Sequence, residues 1–299
     1  MLNLTLKIFS LALFTSLVVM WVFDKYDNGY VDTYYKKIIG TGNSMIIGES
    51  RGSQGLIPEV IMKGLEYQGP MLNFAFTGNN SPYGEIYYKL IEQKLNKKLK
   101  NGLFILTIDP CCIINDKNSE LKEKQLFLGK QIGVTGNPNY EYILRNYSPL
   151  YNLILSDNSE SSNCITHENG WLEITMSEDS ASAVARKQKR YKEEYELLSN
   201  SEMSEYRLQW LEKTIQLLKP HGKVVVVRLP AWKSMIDLEN QMFPSINDEV
   251  GGVCKKEKVQ YLNFYDLNTH YETTDGHHLK NQESIRFSKE LNHLLLSMQ

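Results

Sequence analysis

Short apolar runs constrain the fold of this chain more than any other feature of its sequence. Residues 103–108 and 224–227 are two such runs. A strand whose two faces are both buried has this composition, as in a parallel sheet that helices cover on both sides. Between the runs, apolar residues recur at helical spacing, for example in 208–218. The alternation predicts a doubly wound, three-layer α/β/α sandwich around a mostly parallel sheet.

The same two patterns give the order of the predicted elements. Strands are predicted at 44–47, 71–76, 103–108, 224–227 and 259–264. Helices are predicted at 57–65, between 79 and 102, around 208–218 and at the C-terminal end of the chain. With 299 residues, 42% of them hydrophobic, the chain is long enough to bury a full core. We therefore expect one large domain at 43–299.

The periodicity lapses at about 113–200, and we interpret this stretch as an insertion into the domain. It contains a polar run at 158–163 and a charged segment at 186–196. The charged segment mixes both signs, which is typical of a solvated helix. Insertions on α/β folds form a lid or a substrate wall in some proteins and decorate the surface in others. The sequence leaves both alternatives open.

The N-terminal residues predict a membrane anchor. Residues 8–23 carry no charge, and adding 4–7 gives the roughly 20 residues that cross a bilayer, with Lys7 reaching the headgroups. The run lacks the small residues of a signal-peptidase site, so we predict an uncleaved signal anchor at 1–25, followed by a linker at 26–42. A buried core helix is the weaker alternative, because the segment is apolar on all faces. Lys7 and the amino terminus favour a single-pass protein of the cell membrane with its bulk outside the cytoplasm.

Charge and cysteine content limit the partners, metals and cofactors that we expect this chain to bind. Lys and Arg total 33 against 35 acidic residues, a net charge of −2, so no nucleic-acid partner is expected. Cys164 and Cys254 are compatible with a disulfide, whereas Cys111 and Cys112 fit small apolar positions at a strand end. None of the four has metal-ligand spacing, and we expect no metal. A flavodoxin-like domain with a bound cofactor is a further alternative, but no Gly-rich phosphate loop supports it, and no cofactor is expected.

Two short motifs carry the candidate chemistry. Gly48-Glu49-Ser50-Arg51 follows the predicted strand 44–47, and Asp275-Gly276-His277-His278-Leu279 precedes the last helix. Ser50 would lie at the carboxyl edge of the sheet, where open α/β sheets bind ligands, although a helix cap is an alternative role. His278 is the candidate general base, and Asp275, three residues earlier, can orient it. His277 is the alternative base.

Together these motifs resemble the SGNH (GDSL-type) hydrolase superfamily, in particular the membrane-anchored esterases and acyltransferases of bacterial envelopes. The resemblance spans residues 48 to about 295, although only its short motifs are specific. It implies the flavodoxin-like SGNH hydrolase fold and a catalytic triad of Ser50, Asp275 and His278. The family's first block is Gly-Asp-Ser, and here it is Gly-Glu-Ser.

The resemblance also implies an oxyanion hole, and here the sequence departs from the family. Ser50 and Gly78 are the candidate donors from the first two blocks, with Asn79 and Asn80 close by. Where the family has Gly-x-Asn-Asp after the third strand, this chain has Thr107-Ile108-Asp109-Pro110. An ionised Asp109 would repel an oxyanion, so either another donor substitutes or hydrolysis is slow or absent.

Three further residues are candidates for substrate binding: Arg51, Asp109 and His277. Arg51 could hold an anionic substrate group or pair with Glu49 or Asp109 instead. The expected function is a membrane-anchored, extracytoplasmic serine esterase or O-acyltransferase acting on acyl esters of cell-envelope glycans. The alternative is a catalytically weak or inactive SGNH-like domain that binds glycan or serves envelope assembly. A partner membrane protein is compatible with either function.

Overall fold

A computed structural model describes residues 2–26, 32–77, 81–116, 133–146, 163–177, 179–265 and 270–299. The strands of these residues are, in chain order, β1 (Ser44–Ile47), β2 (Met71–Asn73), β3 (Gly102–Ile108), β4 (Ile114–Asp116), β5 (Cys164–Thr166), β6 (Leu172–Ile174), β7 (Ser201–Met203), β8 (Gly222–Arg228) and β9 (Gln260–Asn263). Their α-helices are α1 (Leu2–Tyr26), α2 (Tyr35–Ile39), α3 (Ser50–Gly55), α4 (Pro58–Met62), α5 (Glu85–Lys94), α6 (Pro110–Ile113), α7 (Tyr140–Arg145), α8 (Ser180–Ser199), α9 (Glu205–Leu218), α10 (Lys233–Met242), α11 (Ile246–Glu257) and α12 (Asn281–Ser297).

Five parallel strands form the central sheet in the order β2-β1-β3-β8-β9. The predicted parallel sheet is therefore confirmed, and its order is that of flavodoxin-like folds. In this order the chain leaves β1 toward one edge and β3 toward the other, so a crevice opens between the carboxyl ends of these two strands. Ser50 begins α3 directly after β1 and so lies at this crevice.

The two faces of the sheet pack against separate apolar layers. Alternate residues of β3 point to opposite sides: Phe104 and Leu106 join the cluster with α5 and α9, while Leu103 and Ile105 join the cluster with α4 and α12. The valines of β8 divide between the clusters in the same way. This alternation explains the uninterrupted apolar runs, since every position of a doubly covered strand is buried. The predicted three-layer sandwich is confirmed.

Several element boundaries differ from the sequence-based expectations. The helix predicted to begin near residue 79 begins at Glu85, and it ends at Lys94 rather than at Gly102, which opens β3. The strand predicted at 71–76 ends at Asn73. There the Asn73 side chain donates to the carbonyls of Gly52 and Leu56, at 3.0 and 2.9 Å, and ties the end of β2 to α3.

The segment predicted as a linker is partly built into the domain. All five residues of α2 are buried, and the Lys37 ammonium donates to the carbonyl of Asn73 at 3.2 Å. Phe23 and Asp24, near the end of α1, are buried as well, and the Asp24 carboxylate accepts a hydrogen bond of 2.8 Å from the Tyr35 hydroxyl. Tyr35, Ile38 and Ile39 belong to the core cluster, so α2 packs as part of the domain. Asn3–Lys25 is long and apolar enough to cross a membrane.

The inserted region contributes two antiparallel pairs and one long helix. β4 pairs with β7, and β5 pairs with β6. The charged segment forms part of the 20-residue α8, as predicted, but two side chains of this helix, Glu194 and Leu198, are buried. The insertion therefore packs against the domain through α8. The polar run at 158–163 lies outside the described residues except for Asn163.

The turn between β1 and α3 depends on close packing against β3. A Cβ atom added to Gly48 would lie 1.8 Å from Thr107 Oγ1, and one added to Gly52 would lie 2.8 Å from the same atom. No contact of 1.8 Å is tolerated between these atom types, so any side chain at Gly48 would force the turn away from β3. The two glycines thus fix the position of Ser50 above the sheet.

We expect Gly48→Ala to destabilise the protein by about 1–3 kcal/mol, the usual cost of overpacking. Urea unfolding of the full chain in detergent micelles measures this cost. Adding Thr107→Ala removes Oγ1 and should restore part of the loss. Gly251→Ala is the matched control, because an added Cβ there meets nothing within 4 Å. An unfolding midpoint for Gly48→Ala equal to that of the wild type would contradict the packing argument.

Candidate active site

Three side chains from the two ends of the chain form one continuous line of hydrogen bonds. Ser50 Oγ lies 2.8 Å from His278 Nε2, and His278 Nδ1 lies 2.8 Å from Asp275 Oδ2. The Ser50 residue is half-buried, as are Asp275 and His278. An ionised carboxylate can only accept hydrogen bonds, so the Nδ1 atom of His278 must carry the hydrogen that faces Asp275. Nε2 is then free of hydrogen and accepts a bond from the Ser50 hydroxyl. This is the tautomer that a general base for Ser50 requires.

The loop that carries Asp275 is shaped around its carboxylate. Asp275 Oδ1 accepts hydrogen bonds of 2.9 Å from the backbone N–H groups of both His277 and His278. Gly276, between Asp275 and His277, has φ +89°, a left-handed conformation that favours glycine, and its carbonyl accepts a hydrogen bond of 3.0 Å from the Trp232 N–H. The backbone of this loop is therefore hydrogen-bonded both to the Asp275 side chain and to Trp232.

Asp275 is ionised at this position. Burial by itself would raise the pKa of its carboxyl, but the adjacent His278 and the backbone N–H groups outweigh burial and lower the pKa well below its usual range. The negative charge next to His278 is thus permanent at neutral pH. It orients the imidazole and would stabilise the imidazolium that forms when His278 takes a proton.

His277, the alternative base, points elsewhere. It is buried, and its Nδ1 atom accepts a hydrogen bond of 2.9 Å from the Arg51 guanidinium. Burial first, and then the positive charges of Arg51 and His278, lower the pKa of His277 well below its ordinary value. The ring is neutral and already engaged. The structure therefore brings His278, rather than His277, to Ser50.

The three candidates for substrate binding lie in the interior. Arg51 and His277 are each 2% exposed and Asp109 is 1% exposed. Arg51 donates to Glu239 and to the hydroxyl of Tyr265, so its acidic partner is Glu239 rather than Glu49 or Asp109. In this arrangement none of the three side chains presents a free polar surface to a substrate.

Asp109 and Glu49 meet at the carboxyl ends of β3 and β1. A carboxylate oxygen of each and the sulfur of Cys112 all lie within 4.8 Å of one another, and all three residues are buried. Asp109 also caps α6 by accepting from the backbone N–H of Cys112 at 3.3 Å. Burial raises the pKa of both carboxyls. At Glu49 the neighbouring Asp109 and Glu194 raise the pKa further, whereas at Asp109 the positive charge of Arg51 opposes the rise. The repulsion expected from an ionised Asp109 is correspondingly weakened.

Of the oxyanion-hole candidates, only Ser50 is among the described residues. Ser50 is the first residue of α3, where backbone N–H groups have no partner within the helix. Gly78, Asn79 and Asn80 lie outside the described residues.

Two sets of buried donor atoms are close enough together to suggest a cation site, and neither fits one well. Glu194, Glu239 and His277 form one set, with donor atoms within 4.8 Å of one another. The Arg51 guanidinium already bonds to Glu239 and His277, and its positive charge opposes a metal ion there. The other set is that of Glu49, Asp109 and Cys112, whose raised pKa values favour protonated ligands. The four cysteines of the chain are thiols, so Cys164 and Cys254 are not joined.

Sequence reasoning missed the acidic residues beneath the site, Glu239 and Glu194. Both are buried and both stand on helices, α10 and α8, that read as ordinary amphipathic or charged segments. The position of Arg228 could have been predicted, because a cationic residue at the end of an apolar strand lies at the carboxyl edge of the sheet. Its partner could not be deduced in this way.

Comparison with known proteins adds two solved structures. No protein-family model and no curated protein matches the chain. A carbohydrate acetylesterase from Sinorhizobium meliloti matches with 9% identity and a TM-score of 0.37, over 86% of this chain and 99% of that one. An inhibitor-bound aryl esterase from M. smegmatis matches with 8% identity and a TM-score of 0.39, over the same shares. Similarity at this level says nothing about the activity of this chain.

Glu194 should make stability depend on pH. Burial and the neighbouring Glu239 raise its pKa from 4.5 to about 7, against the opposing charges of Arg51 and Arg190. Between these values the unfolded chain loses the proton while the folded protein keeps it, so stability falls as pH rises. The resulting loss in the free energy of unfolding is on the order of 3 kcal/mol, and it is complete above about pH 7.

Glu194→Gln should remove this contribution, so that the variant gains stability relative to the wild type as the pH rises from 4.5 to 7. Urea unfolding of both proteins across this range measures the difference. Glu193→Gln, on the same helix and half-exposed, is the control and should leave the pH profile unchanged. Parallel wild-type and Glu194→Gln profiles would show that Glu194 is ionised throughout.

Proposed function

We propose that this chain is a membrane-anchored, extracytoplasmic serine esterase or O-acyltransferase of SGNH type, with acyl esters of cell-envelope glycans as substrates. The observation that carries the proposal is the hydrogen-bonded line Ser50, His278 and Asp275 at the carboxyl edge of the sheet. Two local motifs separated by more than 220 residues meet at hydrogen-bonding distance with the order and tautomer that acyl transfer needs. A helix cap or a stabilised loop would not require a hydroxyl, an imidazole and a carboxylate to be hydrogen-bonded in this order.

The proposed reaction has two halves. In the first, His278 Nε2 accepts the Ser50 proton while Oγ attacks the acyl carbonyl, and the resulting imidazolium lies against Asp275. The proton then passes from His278 to the departing sugar oxygen, which leaves the acyl group on Ser50. In the second half, His278 activates water or another sugar hydroxyl, which attacks the acyl-serine and regenerates the Ser50 hydroxyl. Water gives hydrolysis and a sugar hydroxyl gives transfer.

An oxyanion hole completes the proposed site. The backbone N–H of Ser50 is one proposed donor, and Gly78, Asn79 and Asn80 are the proposed others. Such donors act on the developing charge of the tetrahedral intermediate, and loss of one typically costs about 100- to 1,000-fold in rate. With Asp109 in the place of the family's asparagine, this chain would depend on the remaining donors.

A cavity beside the triad loop supports a role for the insertion as a substrate wall. Its volume is about 380 Å³. Thr175, Ser177 and Arg186 line it from the insertion, while Thr274 and Lys280 line it from the two flanks of the loop. Glu272 and Glu283 line it as well, and hydroxyl, cationic and carboxylate groups together can hydrogen-bond to the hydroxyl-rich surface of a glycan. We propose that part of the polymer is held here while an acyl group reaches Ser50.

The anchoring of α1 supports the proposed location. Asn3–Lys25 has the length and composition of a membrane span, and its last turn is fixed to the domain through the Asp24–Tyr35 hydrogen bond. In the proposed topology Lys7 remains on the cytoplasmic side and the domain lies against the outer surface of the membrane. The site would then work on polymers close to the membrane.

The full chain in detergent micelles should hydrolyse p-nitrophenyl acetate, and Ser50→Ala should lower kcat by at least about 1,000-fold, as removal of a triad nucleophile does. Ser53→Ala is the matched control: Ser53 stands on the same helix, is buried, and should leave the rate near the wild-type value. Wild-type turnover by Ser50→Ala would sink the assignment of the nucleophile.

Asp109 favours a second candidate function, a catalytically weak or inactive domain that binds glycan or assists envelope assembly. The two candidates differ in whether Ser50 is reactive. A fluorophosphonate should label Ser50 in the folded wild type within minutes, and labelling should disappear in His278→Ala, which lacks the base. Mass spectrometry of the labelled peptide identifies the site. Absence of labelling in a folded wild-type protein would favour the binding function.

A further inference from the structure

The residues next to the nucleophile and next to the base are bonded to each other. Arg51 follows Ser50 in the chain and His277 precedes His278. The Arg51 guanidinium donates to His277 Nδ1 at 2.9 Å. From this contact, and resting on the proposed function, we infer that Arg51 and His277 are positioning residues that set the distance between Ser50 Oγ and His278 Nε2.

The hydrogen-bonded pair of Arg51 and His277, which we call the clamp, is held in place by a buried carboxylate. Arg51 donates to Oε1 of Glu239 and to the hydroxyl of Tyr265, and that hydroxyl donates to Oε2 of the same Glu239. Arg228 also contacts Glu239 Oε2, at 3.3 Å, and its guanidinium stacks on the Tyr265 ring at 3.7 Å. Glu239 therefore receives donors from three directions, and none of them depends on a side chain exposed to solvent.

The clamp is tied to the ends of two strands of the central sheet. Arg228 is the last residue of β8, and Tyr265 follows β9. Arg228 also donates to Asn247 at 2.8 Å, as does the hydroxyl of Tyr261 at 2.9 Å. Through these bonds the ends of β8 and β9 set the position of Arg51. Because Arg51 is on the nucleophile helix, the sheet positions both halves of the proposed triad.

The insertion closes the same cluster from the other side. Glu194 of α8 lies 3.6 Å from His277 Nδ1 and 3.4 Å from the Arg190 guanidinium, and the Cys111 thiol donates to it at 3.4 Å. His277 is thus enclosed by Arg51, Glu194 and the His278 ring, whose centroid is 4.8 Å away. A ring enclosed in this way has little freedom to rotate.

The donor in the Arg51–His277 bond fixes the chemistry of the acceptor. A guanidinium has no lone pair to offer, so His277 Nδ1 must be unprotonated and the ring must carry its hydrogen on Nε2. An asparagine carbonyl can take the place of a histidine Nδ1 acceptor, whereas leucine fills similar space without an acceptor. This difference separates a positioning role from simple packing.

Two substitutions of His277 test the inference in the full chain. His277→Asn should keep kcat for p-nitrophenyl acetate within about 3-fold of the wild type. His277→Leu should lower kcat on the order of 100-fold with KM nearly unchanged, since a displacement of about 1 Å at the reacting groups has this effect. The rate of fluorophosphonate labelling should follow kcat. A wild-type kcat in His277→Leu, or an equal loss in both folded variants, would overturn the inference.

A second variant decides the matter where His277→Leu does not fold. Glu239→Gln keeps the size of the side chain but removes the charge that holds Arg51, and it should lower kcat at least about 10-fold with KM unchanged. An unchanged kcat in Glu239→Gln would count against the clamp.

The ¹⁵N NMR spectrum of histidine-labelled wild-type protein gives a readout that does not depend on activity. At neutral pH it should show His277 as the neutral Nε2–H tautomer. A protonated or Nδ1–H His277 would overturn the inference. An unreactive Ser50 with the expected His277 spectrum would remove the proposed function and leave the clamp standing.

Discussion

Both faces of the parallel sheet are covered by helices, and this constraint decides where polar chemistry can lie. Most side chains within the central strands are apolar, and the polar groups of the site stand where strands end: Ser50 after β1, Asp109 after β3, Arg228 at the end of β8 and Tyr265 after β9. Helices and the insertion cover much of that edge too. A polar group buried there is costly unless it is hydrogen-bonded, and charged groups need partners. The networks around Glu239 and Asp275 are the result.

Local spacing is what made the fold and the line of three side chains predictable. Strand and helix periods gave the sandwich, and the chain needs only four consecutive residues at each end to supply Ser50, Asp275 and His278. Each motif follows or precedes an element whose position is fixed by its apolar pattern. Parallel strands bring their carboxyl ends to one edge, so two motifs found locally in the sequence meet there in a long-range contact.

What could not be predicted depends on tertiary contact. Nothing in a window around Arg51 shows that its partner is Glu239, which lies 188 residues away in the chain. Glu194 looks solvated because most of its neighbours on α8 are polar, and a buried glutamate within a charged helix adds nothing to the apolar periodicity. Residues 32–42 look like a polar connection because they include two tyrosines, two lysines, two threonines and an aspartate. The buried polar groups among them have hydrogen-bond partners from other parts of the chain, such as the Asn73 carbonyl for Lys37 and the Asp24 carboxylate for Tyr35.

The adjacent histidines show how neighbours, rather than residue type, assign a role. His278 faces an ionised carboxylate and a hydroxyl, so one ring nitrogen holds a proton and the other is ready to accept one. His277 faces a guanidinium, which can only donate, so its Nδ1 is filled and its charged form is disfavoured. Arg51 and Asp275 create the two environments, so the proposed assignment of His278 as the base rests on the groups that the two rings contact. In the positioning role that we infer, the guanidinium that occupies His277 Nδ1 also keeps His278 beside Ser50.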